Sequence, residues 1–218
     1  MKNYFFKLAA LSLFTYIGSG CSGDKKSDKL PYLGHREAIE KNVDGNTVVD
    51  SVYQTIPAFS LLDQDSTVID NHKMSDKIYI ADFFFTSCPS ICPVMKKQML
   101  RIYEKYKNEP QLEFISHTID PKRDTIPVLK KYQEKLAVDG NKWHFVYGDR
   151  ETVYQLARNG YMNIAEEDAK APGGIMHSGY FILVDKQGHI RGAYNGTDET
   201  EVDKLIADIP TLLKEYQQ

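Results

Sequence analysis

The sequence predicts an α/β domain, a central mixed sheet flanked by helices and opened by a β-hairpin. Three observations carry that reading. Apolar runs of strand length alternate with amphipathic stretches of helical period from Lys77 to Tyr161, which is the grammar of βαβ units. Near the C-terminal end, "GYFILVD" meets "HIRGAYNG" across Lys186-Gln187-Gly188, a turn that favours an antiparallel hairpin. At 218 residues the chain is long enough for one sizeable core and a short flanking segment.

The elements follow in order. "MKNYFFKLAALSLFTYIGSGC" supplies Lys2 and Lys7, an apolar run too short to cross a membrane, and small residues leading to Cys21. This reads as a signal peptide over residues 1–20 ending in a lipobox-like site, with Cys21 as the lipid attachment point. Gly18 stands where such sites usually carry Leu. Residues 21–50, beginning with the polar "SGDKKSDK", then read as a lipidated tether and linker whose composition cannot bury a core. A membrane-anchored, extracytoplasmic protein is the expectation, facing the periplasm or the cell surface.

Residues 51–218 read as the folded domain. "IPAFSLLDQDSTVID" gives two short strands around Asp63-Gln64-Asp65, the opening hairpin. "KIYIADFFFT" is continuously apolar or aromatic, as expected of a strand buried on both faces. Met95, Met99, Ile102 and Tyr106 then recur at helical spacing, with lysines opposite. Next come "LEFISHTI" as strand, "TIPVLKKYQEKLA" as helix, "KWHFVYG" as strand and "ETVYQLARNGY" as helix. A final amphipathic helix runs from about Glu199 to Tyr216.

A net charge of -3 with both signs interspersed offers no basic stripe, so nucleic acid is not an expected partner. With Cys21 assigned to lipid, Cys88 and Cys92 are the only thiols of the mature chain. They occupy "TSCPSICP", where a central strand gives way to a helix. Free backbone N–H groups and the positive end of the helix dipole favour thiolate there, first at Cys88. If the segment from Cys88 is helical, the four-residue spacing sets both sulfurs on one face.

Two thiolates form a soft donor set suited to Cu(I), zinc or iron–sulfur centres. Iron–sulfur needs more cysteines and structural zinc normally takes four protein ligands, whereas copper can be held by three. A nitrogen donor is therefore sought among six histidines. His35, His72, His144 and His189 read as surface or structural. His117, near the end of "LEFISHTI", is a candidate for a supporting place at the functional sheet edge. His177 has the most telling context: it follows Gly173-Gly174 in "APGGIMHSGYFILVD" and precedes an apolar strand. Met95 and Met99 read as core, and Met176 adjoins His177.

Together, "FFFTSCPSICPVM", "SHTIDPKRDTIPVLKKY" and "MHSGYFILVDKQG" resemble the SCO/SenC family of copper-binding, thioredoxin-like proteins, in the family's order and over most of the domain. The resemblance implies a thioredoxin-like fold and copper, Cu(I) or Cu(II), held by Cys88, Cys92 and His177. It further implies a metallochaperone that delivers copper to a respiratory cytochrome oxidase subunit, or prepares that subunit's copper-site thiols. Asp120 and Asp124 match the loop after the second core strand, as partner-docking residues or as caps of the helix near Thr125. Ser90 departs from the acid often found inside the family's cysteine motif, and Pro127 arrives one residue late.

The competing expectation is an extracytoplasmic thiol–disulfide oxidoreductase, with Cys88 and Cys92 as a redox pair able to form a disulfide and thioredoxin-like reductants as partners. Against it stand the CxxxC spacing and His177-Ser178, where oxidoreductases of this fold usually place a cis-proline.

Overall fold

The computed structural model describes residues 29–217. Cys21 and the run before it lie outside the described residues. The described chain opens with β1 (Arg36–Val43) and β2 (Asn46–Tyr53), an antiparallel hairpin turning at Asp44-Gly45, both at positive φ. This ribbon forms a two-stranded sheet of its own; β1 and the first five residues of β2 fall in the stretch expected to be linker, and residues 51–53 in the expected domain. Its side chains are largely exposed, Val43, Val48, Val49 and Val52 included. The composition argument excluded a core, and the ribbon has none of its own; it pairs its backbone locally, and Tyr53 at its end stacks on Tyr32 with ring centroids 4.9 Å apart.

Two further strands, β3 (Ser60–Leu62) and β4 (Val68–Asp70), make the expected opening hairpin. The short helix α1 (Asn71–Met74) follows, its first turn capped by the Asp70 carboxylate accepting from Lys73 N. Then come β5 (Ile78–Phe84), α2 (Ile91–Tyr106), β6 (Leu112–Thr118), α3 (Ile126–Leu136) and β7 (Trp143–Val146). Helix α4 (Arg150–Gln155) runs into one π-helical turn over Leu156–Gly160. Strands β8 (Ala165–Glu167) and β9 (Ile175–His177) pair antiparallel. The chain ends in the hairpin β10 (Tyr180–Val184) and β11 (Ile190–Asn195) and in α5 (Glu199–Glu215).

The main sheet has the order β11-β10-β5-β6-β7, with β5, β6 and β7 parallel and β10 and β11 antiparallel. This is the thioredoxin-like arrangement, and β5 lies at its centre with every residue buried. Met95, Met99 and Ile102 of α2 and Leu205, Ile209 and Leu212 of α5 are buried in the core, as their helical spacing requires.

One lysine breaks the expected solvated face of α2. Lys96 is buried, with its Nζ 3.3 Å from Asp82 Oδ2 and 3.3 Å from Ser116 Oγ. The same ammonium lies 4.5 Å from the centroid of the Phe84 ring and 5.0 Å from that of Trp143. A carboxylate, a hydroxyl and aromatic faces together replace the water that this charge gives up.

Candidate metal centre

The cysteine loop hangs between the end of β5 and the start of α2. Cys88 lies in the six residues between them, so the pair is not carried on one continuous helix, and Cys92 is the second residue of α2. The loop is tied at its base rather than along its length. Asp124 is fully buried, and its Oδ2 accepts from Thr86 N at 2.9 Å and from Thr118 Oγ1 at 2.6 Å. Its Oδ1 accepts from Thr86 Oγ1 at 2.5 Å. Thr125 is the N-cap of α3 and makes no side-chain cap bond, so Asp124 does not cap that helix. It joins the cysteine loop to the end of β6.

His177 arrives from the other side, as the last residue of β9 rather than as a loop residue. Its register partner is Ala165 of β8, and Ser178 N donates to Ile164 O at 3.1 Å. The His177 ring stands edge-on to Phe85, with centroids 6.0 Å apart. Gly173, with φ 83°, lies against the same phenyl ring: a Cβ there would meet Phe85 Cε2 at 2.7 Å. The missing side chain lets the approach to β9 press onto the cysteine loop. At Gly174 a Cβ would meet nothing within 4 Å.

The outcome is a cluster of three donors. Cys88, Cys92 and His177 each offer one ligand atom, all within 4.8 Å of one another, the two cysteines buried and the histidine half-buried. Cys92 Sγ lies 3.3 Å from His177 Nε2. His177 Nδ1 lies 3.3 Å from the Ser178 carbonyl, to which its N–H donates, leaving the Nε2 lone pair facing the sulfurs. Ser90 makes no cap bond to α2 and instead brings its hydroxyl to 3.7 Å from Cys88 Sγ. Two soft sulfurs and one imidazole fit a soft cation of low coordination number. No other group of three or more such donors occurs among the described residues.

The two sulfurs differ in their proton affinity. A hydrogen bond from Cys92, with support from the backbone N–H groups of Ser90 and Cys92, holds the Cys88 thiol far below the usual range. Its thiolate neighbour, reinforced by burial, pushes Cys92 up. Between the two, Cys88 is the sulfur whose surroundings favour the charged form.

The remaining sequence candidates lie elsewhere. His117 is wholly buried, stacked on Phe83 at 4.8 Å between centroids and tilted against Tyr161 at 5.2 Å. Its Nδ1 lies 3.3 Å from the Asp82 carbonyl, and its Nε2 has no partner. It belongs to the core and not to the donor cluster. Asp120 accepts from Arg123 Nη1 at 2.7 Å, and this pair flanks Gly173 and Gly174 in a polar cleft that also holds Arg150 and Glu167. Met176, next to the ligand-bearing position, is exposed. Sequence reasoning missed the roles of Asp124 and Lys96, whose partners come from distant parts of the chain.

Comparison with known proteins places this fold. The family model described as SCO1/SenC matches residues 49–214. The chain belongs to the SCO1/SenC family. A SCO1 protein homolog of Bacillus subtilis is 28% identical over 170 residues, covering 76% of this chain and 86% of that protein. Among solved structures of the family, BsSco, described as a member of the Sco family of cytochrome c oxidase assembly proteins, superposes with a TM-score of 0.64. It shares 26% identity and covers 72% of this chain and 92% of its own. Yeast Sco1 with copper bound gives a TM-score of 0.57 at 23% identity, covering 72% of this chain and 88% of that one, a likeness of fold.

Proposed function

We propose that this SCO1/SenC protein binds copper through Cys88, Cys92 and His177 and exchanges it with a partner during assembly of a respiratory cytochrome oxidase. The observation that carries this reading is the meeting of two sulfurs and one imidazole nitrogen within 4.8 Å, with Nε2 turned toward the thiols. Three donors are enough for Cu(I) and leave room for an incoming ligand. Copper is cargo in this scheme, and the protein's contribution is the shape of the donor set. The sulfurs are fixed by the core sheet and by Asp124, while the nitrogen rides on a separate two-stranded ribbon. The place of BsSco among cytochrome c oxidase assembly proteins and the copper bound by yeast Sco1 support the assembly setting and the cargo.

A lipid anchor at Cys21 would hold the domain at the outer face of a membrane. Among the described residues no helix is long and apolar enough to cross one. That reading rests on the lipobox-like sequence, and mass spectrometry of the mature N-terminus tests it.

The second reading, thiol–disulfide exchange, is supported by the same two free cysteines, whose sulfurs lie within 4.8 Å. One titration separates the two. Reduced, metal-free protein is titrated anaerobically with Cu(I), beside Cys88→Ser, Cys92→Ser and His177→Ala. The expected result is one copper per wild-type chain, with affinity lowered at least about tenfold in each variant, a loss of one ligand being worth more than 1.4 kcal/mol. Undiminished affinity in His177→Ala would remove the nitrogen from the site. Rapid disulfide turnover without copper affinity would favour the exchange reading.

A further inference from the structure

Beside the two cysteines lies a groove of about 360 Å³ between α2 and α3. Its apolar bed is made by Phe85, Leu100, Tyr132 and Leu136, with Cys88 and Cys92 at one end. Three lysines line it and no carboxylate does, in a chain whose net charge is -3. Lys96 is matched by Asp82. Lys97 and Lys135 are exposed and form no ion pair with any described residue. An unpaired pair of ammonium groups over an apolar bed is a surface that asks for a particular complement: a hydrophobic side chain with a carboxylate beside it.

We propose that this groove receives the segment of the exchange partner adjoining its own receiving cysteine, a segment carrying an apolar side chain next to an acidic one. The inference rests on the copper-exchange reading only for the partner's role; the groove's preference follows from its own lining. Coulomb attraction orients the approaching segment, and burial of its apolar side chain on Leu100 and Leu136 holds it while ligands change places.

The test measures how fast a site thiol is captured by small probes. Three synthetic peptides, Asp-Leu-Cys, Lys-Leu-Cys and Asp-Ser-Cys, are each activated at the cysteine sulfur as the pyridyl disulfide and added to the reduced, metal-free full chain. A site thiolate attacks the peptide sulfur, the reagent's S–S bond breaks, a new S–S bond forms, and pyridinethione leaves with the electron pair and is read by its absorbance. Asp-Leu-Cys is expected to react about tenfold faster than Lys-Leu-Cys, two exposed ion pairs each contributing a few-fold. The ratio should fall to about one in Lys97→Glu/Lys135→Glu. The advantage of Asp-Leu-Cys over Asp-Ser-Cys should disappear in Leu100→Asn. Each peptide rate is divided by the same protein's rate with neutral dipyridyl disulfide, which removes any change in the thiols themselves.

Equal rates for the three peptides in wild type, or a ratio that survives the lysine reversal, would overturn the groove. A preference that weakens as the protein is concentrated would assign the groove to a second copy and overturn it too. Copper titration of the same preparations keeps the two ideas apart. Copper binding without peptide preference defeats the groove alone. Peptide preference without copper binding defeats the copper reading and leaves a thiol-partner groove.

Discussion

Removing Asp124 should loosen the cysteine loop and destabilise the fold together. Its carboxylate accepts three hydrogen bonds, from Thr86 N, Thr86 Oγ1 and Thr118 Oγ1, in a position with no solvent exposure. Charge-assisted bonds contribute about 1.5–3 kcal/mol each but do not add fully, so Asp124→Ala should cost about 3–5 kcal/mol. That is a large share of the roughly 5–15 kcal/mol by which a domain is stable. Asp124→Asn should cost only about 1–2 kcal/mol, because the amide oxygen can replace Oδ2 while the amide NH₂ donates to the rotated Thr86 hydroxyl. Asp120→Ala provides the contrast. Asp120 is itself buried but has a single ion-pair partner, the exposed Arg123, so its loss should cost less than that of Asp124. Urea unfolding at constant m-value measures all three. Reaction of the thiols with neutral dipyridyl disulfide reports on the loop, and in Asp124→Ala it should accelerate several-fold as Cys88 gains exposure. An Asp124→Ala protein within about 1 kcal/mol of wild type, with unchanged thiol reactivity, would refute the idea that this residue anchors the loop.

Two further predictions concern a core histidine and the glycines that lead to β9. Burial lowers His117 from 6.5 to about 4, so in between the unfolded chain holds a proton that the folded chain refuses. Stability from this group is complete above pH 6.5 and falls by up to about 3 kcal/mol as the pH drops toward 4. His117→Phe should flatten that part of the pH profile of urea midpoints, and an unchanged slope would argue against a neutral buried imidazole. Gly173→Ala places a methyl 2.7 Å from Phe85 at φ 83° and should lower the thermal midpoint markedly and weaken copper binding. Gly174→Ala, at φ 81° but in open space, should cost only about 1 kcal/mol and leave copper binding unchanged; equal effects at both positions would deny the packing role of Gly173.

Much of this fold was legible because burial writes itself into a local pattern. β5 is apolar at nearly every position and lies at the sheet centre, and Met95, Met99 and Ile102 announce the buried stripe of α2. The three donors were legible as residues, and the family resemblance implied that they meet, but the elements that carry them were not legible. Cys88 precedes the helix instead of standing on it, and the ribbon that carries His177 has strands of three residues, too short for any period. The β1–β2 hairpin escaped notice because exposed strands need no apolar alternation. Asp124 and Lys96 escaped it because a charged residue in sequence looks solvated, and only tertiary structure brings Thr86, or Asp82 with its aromatic neighbours, within reach.

The separation between Cys92 and His177, 85 residues along the chain, also gives the donor set an order in time. A chain made or exported from its N-terminus presents both thiols well before the nitrogen that completes the set. During that interval the thiols are open to oxidants and to any soft ion. They are sheltered only once β9 has paired with β8 and pressed against Phe85. Folding is then the step that makes the thiols selective, and conditions that delay formation of the ribbon will favour oxidised chains over copper-competent ones.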